Sequence, residues 1–262
     1  MRPTLALSII LVLLLCGCNA AKTIIPLDPE VTPVTTPTLY RYAPEKETLV
    51  LTVETKGQND QERSFQAMTI EFESVEDNGQ LFLTTRLVKI QQQGKTIAPA
   101  LPIAEITGRS DMMGNGELIS AHSPWKLSLP DGERQEKELL ENLKFDPKDI
   151  LWPLPEAPIV TGQLLTSFGN AHIKIGDSPK QQTPLKLLLE GEKVVDGVTY
   201  VTAQLDDQIS TTVQGRTAKM LLKGYLKMDK ATMMPVTAFV AMTYSLGNTP
   251  LGASKISIVK IP

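Results

Sequence analysis

Few side chains in this 262-residue chain have the type and spacing that chemistry requires, and the first are its only two cysteines, Cys16 and Cys18. They stand two apart behind an apolar run, Leu5 to Leu15, broken only by Ser8. A thiolate at that place is a nucleophile that can take an electrophilic group onto sulfur. The two histidines, His122 and His172, lie far apart, and neither has a ligand-type neighbour at the short spacing of a histidine-based zinc site. They read as surface or turn residues. His122 precedes Ser123, but adjacent side chains of a strand point to opposite faces, and no G-x-S-x-G elbow is present. Asp206-Asp207 is a carboxylate pair before a Ser/Thr-rich stretch; such a pair suits acid–base work or a cation, and more often marks a solvated strand end. Asp111 opens a turn running to Gly116, without the following Lys and helix of a phosphate loop. Methionines stand at 68, 112, 113, 220, 228, 233, 234 and 242. Thioether clusters hold Cu(I) and flexible methionine surfaces suit apolar pockets. Met220, Met228 and Met242, however, fall where strand cores fall. No catalytic residue, metal or cofactor is expected.

Residues 1–18 have the layout of a secretory signal, with Arg2 as a short positive start and an apolar stretch of eleven residues. Spanning a bilayer takes about 20 helical residues, so this stretch is too short to be a transmembrane anchor. Leu15-Cys16-Gly17-Cys18 resembles the lipobox of bacterial lipoproteins. Leu, Gly and the last Cys match its first, third and fourth places; Cys16 stands where Ala, Ser or Thr is commoner. The resemblance implies a signal peptide over 1–17, cleavage before Cys18 and a thioether-linked diacylglycerol on Cys18. The acyl chains would hold the chain on a membrane of the bacterial cell envelope, each buried methylene contributing about 0.8 kcal/mol. Asn19 replaces the Asp that retains enterobacterial lipoproteins at the inner membrane, which points to the outer membrane in a cell with two. Cleavage removes Cys16 and lipidation consumes Cys18, leaving no thiol or disulfide in the mature domain. Loss of Arg2 leaves 25 basic against 29 acidic residues, with no basic block, so nucleic-acid binding gains no support.

Around this chemistry the chain divides into a tether and a body. Residues 18–44 carry Pro26, Pro29, Pro33, Pro37 and Pro44 among many threonines, a composition that suits neither helix nor central strand. It reads as an extended linker of about 25 residues, able at roughly 3.1 Å each to hold the body up to about 75 Å from the membrane. From 45 to 262 the dominant period is two. Leu49, Leu51 and Val53; Gln66, Met68, Ile70 and Phe72; Met220, Leu222, Leu226 and Met228; and Val236, Ala238, Val240, Met242 and Tyr244 each share one strand face, and Ile256 and Ile258 end the body in the same way. Asp77-Asn78-Gly79 and Asp196-Gly197 supply the positive φ of tight hairpin turns. Asp131 to Leu143 predicts the one short amphipathic helix, with Asp131 as cap and Leu139, Leu140 and Leu143 on one side. Asp146-Pro147 restarts a short turn, and Trp152 to Pro158 predicts an extended Pro-rich link.

The hairpin segments 73–83 and 192–201 are alike, and Ile106–Met112 mirrors Leu222–Met228, which predicts two similar halves, 45–130 and 155–262. The expected fold is mainly β, with curved antiparallel sheets in a half-barrel or two-lobed meander. The stretch from Leu154 to Phe168, with Gly197, Tyr200, Gly224, Asp229 and Thr232, resembles elements of bacterial lipoproteins and secreted β proteins that carry domains of unknown function. Phe168 and Met233 replace the Trp and the Gly of that pattern. The architecture is also similar to the half-barrel of periplasmic lipoprotein carriers. These resemblances imply a fold and no activity. The function expected is a non-enzymatic binding or scaffolding module, with an envelope protein or an apolar ligand as partner. Two alternatives stay open: a lipid or lipoprotein carrier with an apolar cavity, and a hydrolase using Asp206, Asp207 or Asp111.

Overall fold

A computed structural model describes residues 30–56, 63–122, 151–173, 181–213 and 215–261. The lipobox with Cys18 and the helix expected over Asp131–Leu143 lie outside the described residues.

The alternation is expressed as twelve strands: β1 (Lys46–Lys56), β2 (Arg63–Asp77), β3 (Gln80–Gln92), β4 (Lys95–Ile97), β5 (Ala104–Asp111), β6 (Gly116–His122), β7 (Leu164–Ile173), β8 (Gln181–Val195), β9 (Val198–Val213), β10 (Arg216–Asp229), β11 (Pro235–Leu246) and β12 (Thr249–Ile261). They form one open, curved antiparallel sheet in the order β6-β5-β3-β2-β1-β12-β11-β10-β9-β8-β7, with β4 paired to β3. The mainly β architecture expected from the sequence is therefore present, as a single continuous sheet and not two lobes. The chain runs outward from β1 to β6 and then inward from β7 to β12, so its first and last strands meet at the centre.

Residues directly opposite each other in a ladder share a face, so the register defines the inner surface. Leu51 faces Ile258 and Val53 faces Ile256 across β1–β12, and Ile256 faces Val240 on β11. Met68, Ile70 and Phe72 on β2, Leu81 and Leu83 on β3, and Met220, Leu222, Leu226 and Met228 on β10 are buried on this surface, while Lys219 and Lys223 face solvent. Both predicted hairpins close in two residues, with Asn78 and Gly79 at φ 52° and 78° and Asp196 and Gly197 at 51° and 82°. The similar sequence segments fall on hairpins and strands of two antiparallel meanders. The path β2–β3–β5–β6 is followed again by β8–β9–β10–β11, with Ile106–Asp111 on β5 and Leu222–Met228 on β10.

The tether needs correction. Composition made residues 18–44 a free linker, but the described part, 30–44, is fastened to the sheet. Thr32 exchanges backbone hydrogen bonds with Glu192 at the end of β8, Thr38 exchanges them with Ile159, and the amides of Tyr42 and Ala43 donate to the carbonyls of Met112 and Thr232. Tyr40 and Tyr42 are buried in the same core as Leu151, Trp152, Leu154 and Ile159. The prolines do specify an extended backbone. What composition could not show is that Tyr40 and Tyr42 dock into the core and that backbone hydrogen bonds fasten the segment to the sheet.

Candidate functional site

The start of β1 and the β2–β3, β5–β6, β8–β9 and β10–β11 turns lie at one end of the sheet, which residues 30–44 and 151–163 cap. Tyr42 holds this cap together. Its hydroxyl donates to the carbonyl of Trp152 and accepts from the Trp152 amide, both at 3.0 Å. Burial pushes this hydroxyl well above the ordinary tyrosine value, against an opposing pull from the Trp152 backbone N–H that donates to its oxygen. Tyr40 donates to Glu192 Oε1 at 2.9 Å, and Lys230 Nζ reaches Glu192 Oε2 at 2.7 Å. Lys193 pairs with Glu30 at 2.9 Å. Glu192 therefore ties the entering chain, β8 and the β10–β11 turn into one point. Two glycines make the approach possible: a Cβ on Gly114 would lie 2.7 Å from the Trp152 carbonyl oxygen, and one on Gly191 2.4 Å from that of Thr32.

Among the described residues the inner face carries one buried charge. Glu47 lies beside Phe72 of β2, and its side chain has no exposed surface. Lys260 Nζ of β12 meets Glu47 Oε1 at 2.5 Å, while Oε2 has no hydrogen-bond partner among the described residues. Burial pushes the Glu47 carboxyl up, the ion pair with Lys260 opposes this, and the charges of Glu45 and Asp229 add to it. Desolvation pulls Lys260 down, but the hydrogen bond and charge of Glu47, joined by the charges of Glu45 and Asp229, leave it raised. We read the pair as ionised but costly, because a carboxylate out of water is repaid only in part by one partner. Sequence reasoning passed over both residues, although the signal was present. Glu47 is in phase with Leu49, Leu51 and Val53, and Lys260 with Ile256 and Ile258.

Along the central strands the inner face is unevenly covered. Leu49, Met68, Ala238 and Val240 are buried, yet Leu51, Val53, Ile256 and Ile258 on the same surface are only half-buried. These four residues face one another in pairs across β1–β12. An apolar stripe on the concave side of an open sheet can hold an apolar chain without any covalent step.

The three carboxylates considered for hydrolysis do not come together. Asp206 and Asp207 are neighbours on β9 and point to opposite faces; Asp206 pairs with Lys223 at 3.4 Å, and Asp207 Oδ1 accepts the Gln208 amide. Asp111 is on β5, seven strand positions from β9. Its oxygens accept the amides of Met113 and Asn115 and the Asn115 side chain at 2.8–2.9 Å, so that it builds its own turn. Burial works against its charge, but those hydrogen bonds prevail and hold its carboxyl below the usual value. His122 is exposed on the edge strand β6, 3.7 Å from Glu105. His172 lies on the opposite edge strand, β7, facing Gln182. Met220, Met228, Met233 and Met234 have no exposed surface, and Met112 and Met113 pack partly buried against the same core, so all six serve as filling. Compared with known proteins, the chain matches no family model, and no curated protein matches it.

Proposed function

We propose that this protein is a non-enzymatic binding or scaffolding module of the bacterial cell envelope, lipid-anchored through Cys18. In a cell with two membranes its place is the outer one. Its partners are the membrane, through the acyl chains, and an apolar ligand or envelope protein. The observation that carries the binding role is the half-buried stripe of Leu51, Val53, Ile256 and Ile258 on the concave side of an otherwise well-filled sheet. The anchor is supported by Leu15-Cys16-Gly17-Cys18 behind its apolar run. Mass spectrometry of the protein from a bacterial host tests the anchor. The expected species begins at Cys18 and carries a diacylglycerol, and Cys18→Ser keeps the full precursor mass; an unmodified chain cut elsewhere overturns it.

The stripe equally favours a second reading, a carrier for lipid or lipoprotein acyl chains. Native mass spectrometry of the body separates the two. Co-purifying lipid that is lost in Ile256→Glu supports a carrier, and a body free of lipid in both forms supports scaffolding.

A further inference from the structure

We propose that the capped end of the sheet faces the membrane and that two of its hairpin tips, β2–β3 and β8–β9, touch the phospholipid surface through apolar side chains. This rests on the anchored reading of Cys18. The chain enters the body at Glu30 and Thr32, bound to Lys193 and Glu192 beside the β8–β9 tip. Only residues 19–29 then separate the lipid-bearing Cys18 from this point, a reach of about 35 Å when fully extended and not the 75 Å of a free linker. Strand β9 alone, with 16 residues, is about 50 Å long. The opposite end of the sheet therefore lies away from the bilayer, and the capped end lies towards it.

The capped end exposes side chains that water does not favour. At the β8–β9 tip Val194 is 66% exposed and Val198 38%; at the β2–β3 tip Val75 is 58% exposed and Phe82, its cross-strand partner, 43%. These tips stand six strand positions apart in the sheet, so they offer two separated points of contact and not one patch. Shallow insertion of apolar groups into the headgroup layer is favourable in proportion to the area buried. Each tip also carries carboxylates, Glu76 and Asp77 on one and Asp196 on the other. An anionic surface repels these, so the surface that fits is a zwitterionic one, phosphatidylcholine or phosphatidylethanolamine.

The test uses the acylated full chain bound to phosphatidylcholine vesicles with brominated acyl chains. A bimane label is placed at Val194→Cys, at Val75→Cys or, at the far end, at Asn248→Cys. The expected result is bromine quenching at the first two positions and none above the unbrominated control at the third. Bound protein quenched at Asn248, quenched equally at all three positions, or quenched only when phosphatidylglycerol is added overturns the inference and leaves the anchor standing. Protein that fails to bind the vesicles overturns the anchored reading and the inference with it.

Discussion

The β5–β6 and β10–β11 turns stand at equivalent places in the two halves of the sheet, and they solve one problem in two ways. Each begins at an aspartate that ends its strand and accepts a backbone amide two residues on, Met113 to Asp111 and Ala231 to Asp229, both at 2.8 Å. Each then needs a residue in the left-handed region. In the first turn this is Gly114 at φ 81°, and in the second Met233 at φ 57°. The first turn has room for no side chain, because Tyr42 and Trp152 lie directly on it. The second also takes a backbone hydrogen bond from the entering chain, Ala43 to the Thr232 carbonyl, but here a side chain stands in the left-handed place, and Met233 and Met234 fill the core. Both turns thus receive the entering chain, but only the first lets Tyr42 and the Trp152 backbone close directly onto its left-handed residue. The halves are similar in path and different in what depends on them.

Substitutions can break or sharpen that contrast. The largest effect is expected at Gly114. Gly114→Ala places a methyl against the Trp152 backbone and the Tyr42 ring in a conformation that L residues resist, for a loss of about 3–4 kcal/mol. Gly79→Ala, with equal φ preference but open space around it, is expected to lose about 1 kcal/mol. Urea titration of both variants checks this, and equal losses would remove the role given to the overlaid segments.

Next is the seam where the halves meet. Lys260→Ala strands the buried Glu47 carboxylate, at a cost of about 2–3 kcal/mol, below the usual figure for a buried pair because Lys260 is itself about one-third exposed. Glu47 has a raised folded value, so its protonation stabilises the fold on the acid side, and that stability is lost as pH rises through the folded value. The deficit of Lys260→Ala should accordingly shrink on acidification. Glu47→Gln should be close to neutral, because it leaves behind only a partly solvated ammonium. Thermal melts across pH test both statements.

Met233→Gly relieves a left-handed methionine, worth about 1 kcal/mol, but removes a fully buried side chain worth about 2–4 kcal/mol. The net expectation is a loss of about 2 kcal/mol, and a gain in stability would mean that strain and not packing dominates the second turn. The smallest effect is Asp111→Asn, below about 1 kcal/mol at neutral pH because the amide oxygen still accepts. Its signature is a change of slope. Asp111 has a depressed folded value, so its contribution is present above the unfolded value and fades as pH falls through the folded one, and Asn removes that fading. Paired acid titrations of the two proteins followed by circular dichroism measure it.

Local pattern made much of this fold legible. The period of two placed Met68, Ile70 and Phe72 and the β10 series on the inner face, and Asn78-Gly79 and Asp196-Gly197 announced their turns by chemistry. The central β1–β12 pairing was not legible, because some two hundred residues separate Leu51 from Ile258 and no local rule sets such a register. Residues 30–44 were misread because proline reports extension and not docking, and only Tyr40 and Tyr42 hinted at a buried face. The inner stripe was legible as hydrophobic alternation, but its partial exposure depends on how the curved sheet is filled, which sequence does not encode locally.

The meeting of β1 with β12 also sets an order of events. The thirteen residues of β12 come some two hundred residues after β1, yet they form the middle of the sheet and not its margin. Until they arrive, β1 and β11 are unsatisfied edges, and closing a loop of some two hundred residues is slow. The local meanders on either side can pair without β12, but the sheet becomes continuous only when β12 docks between β1 and β11.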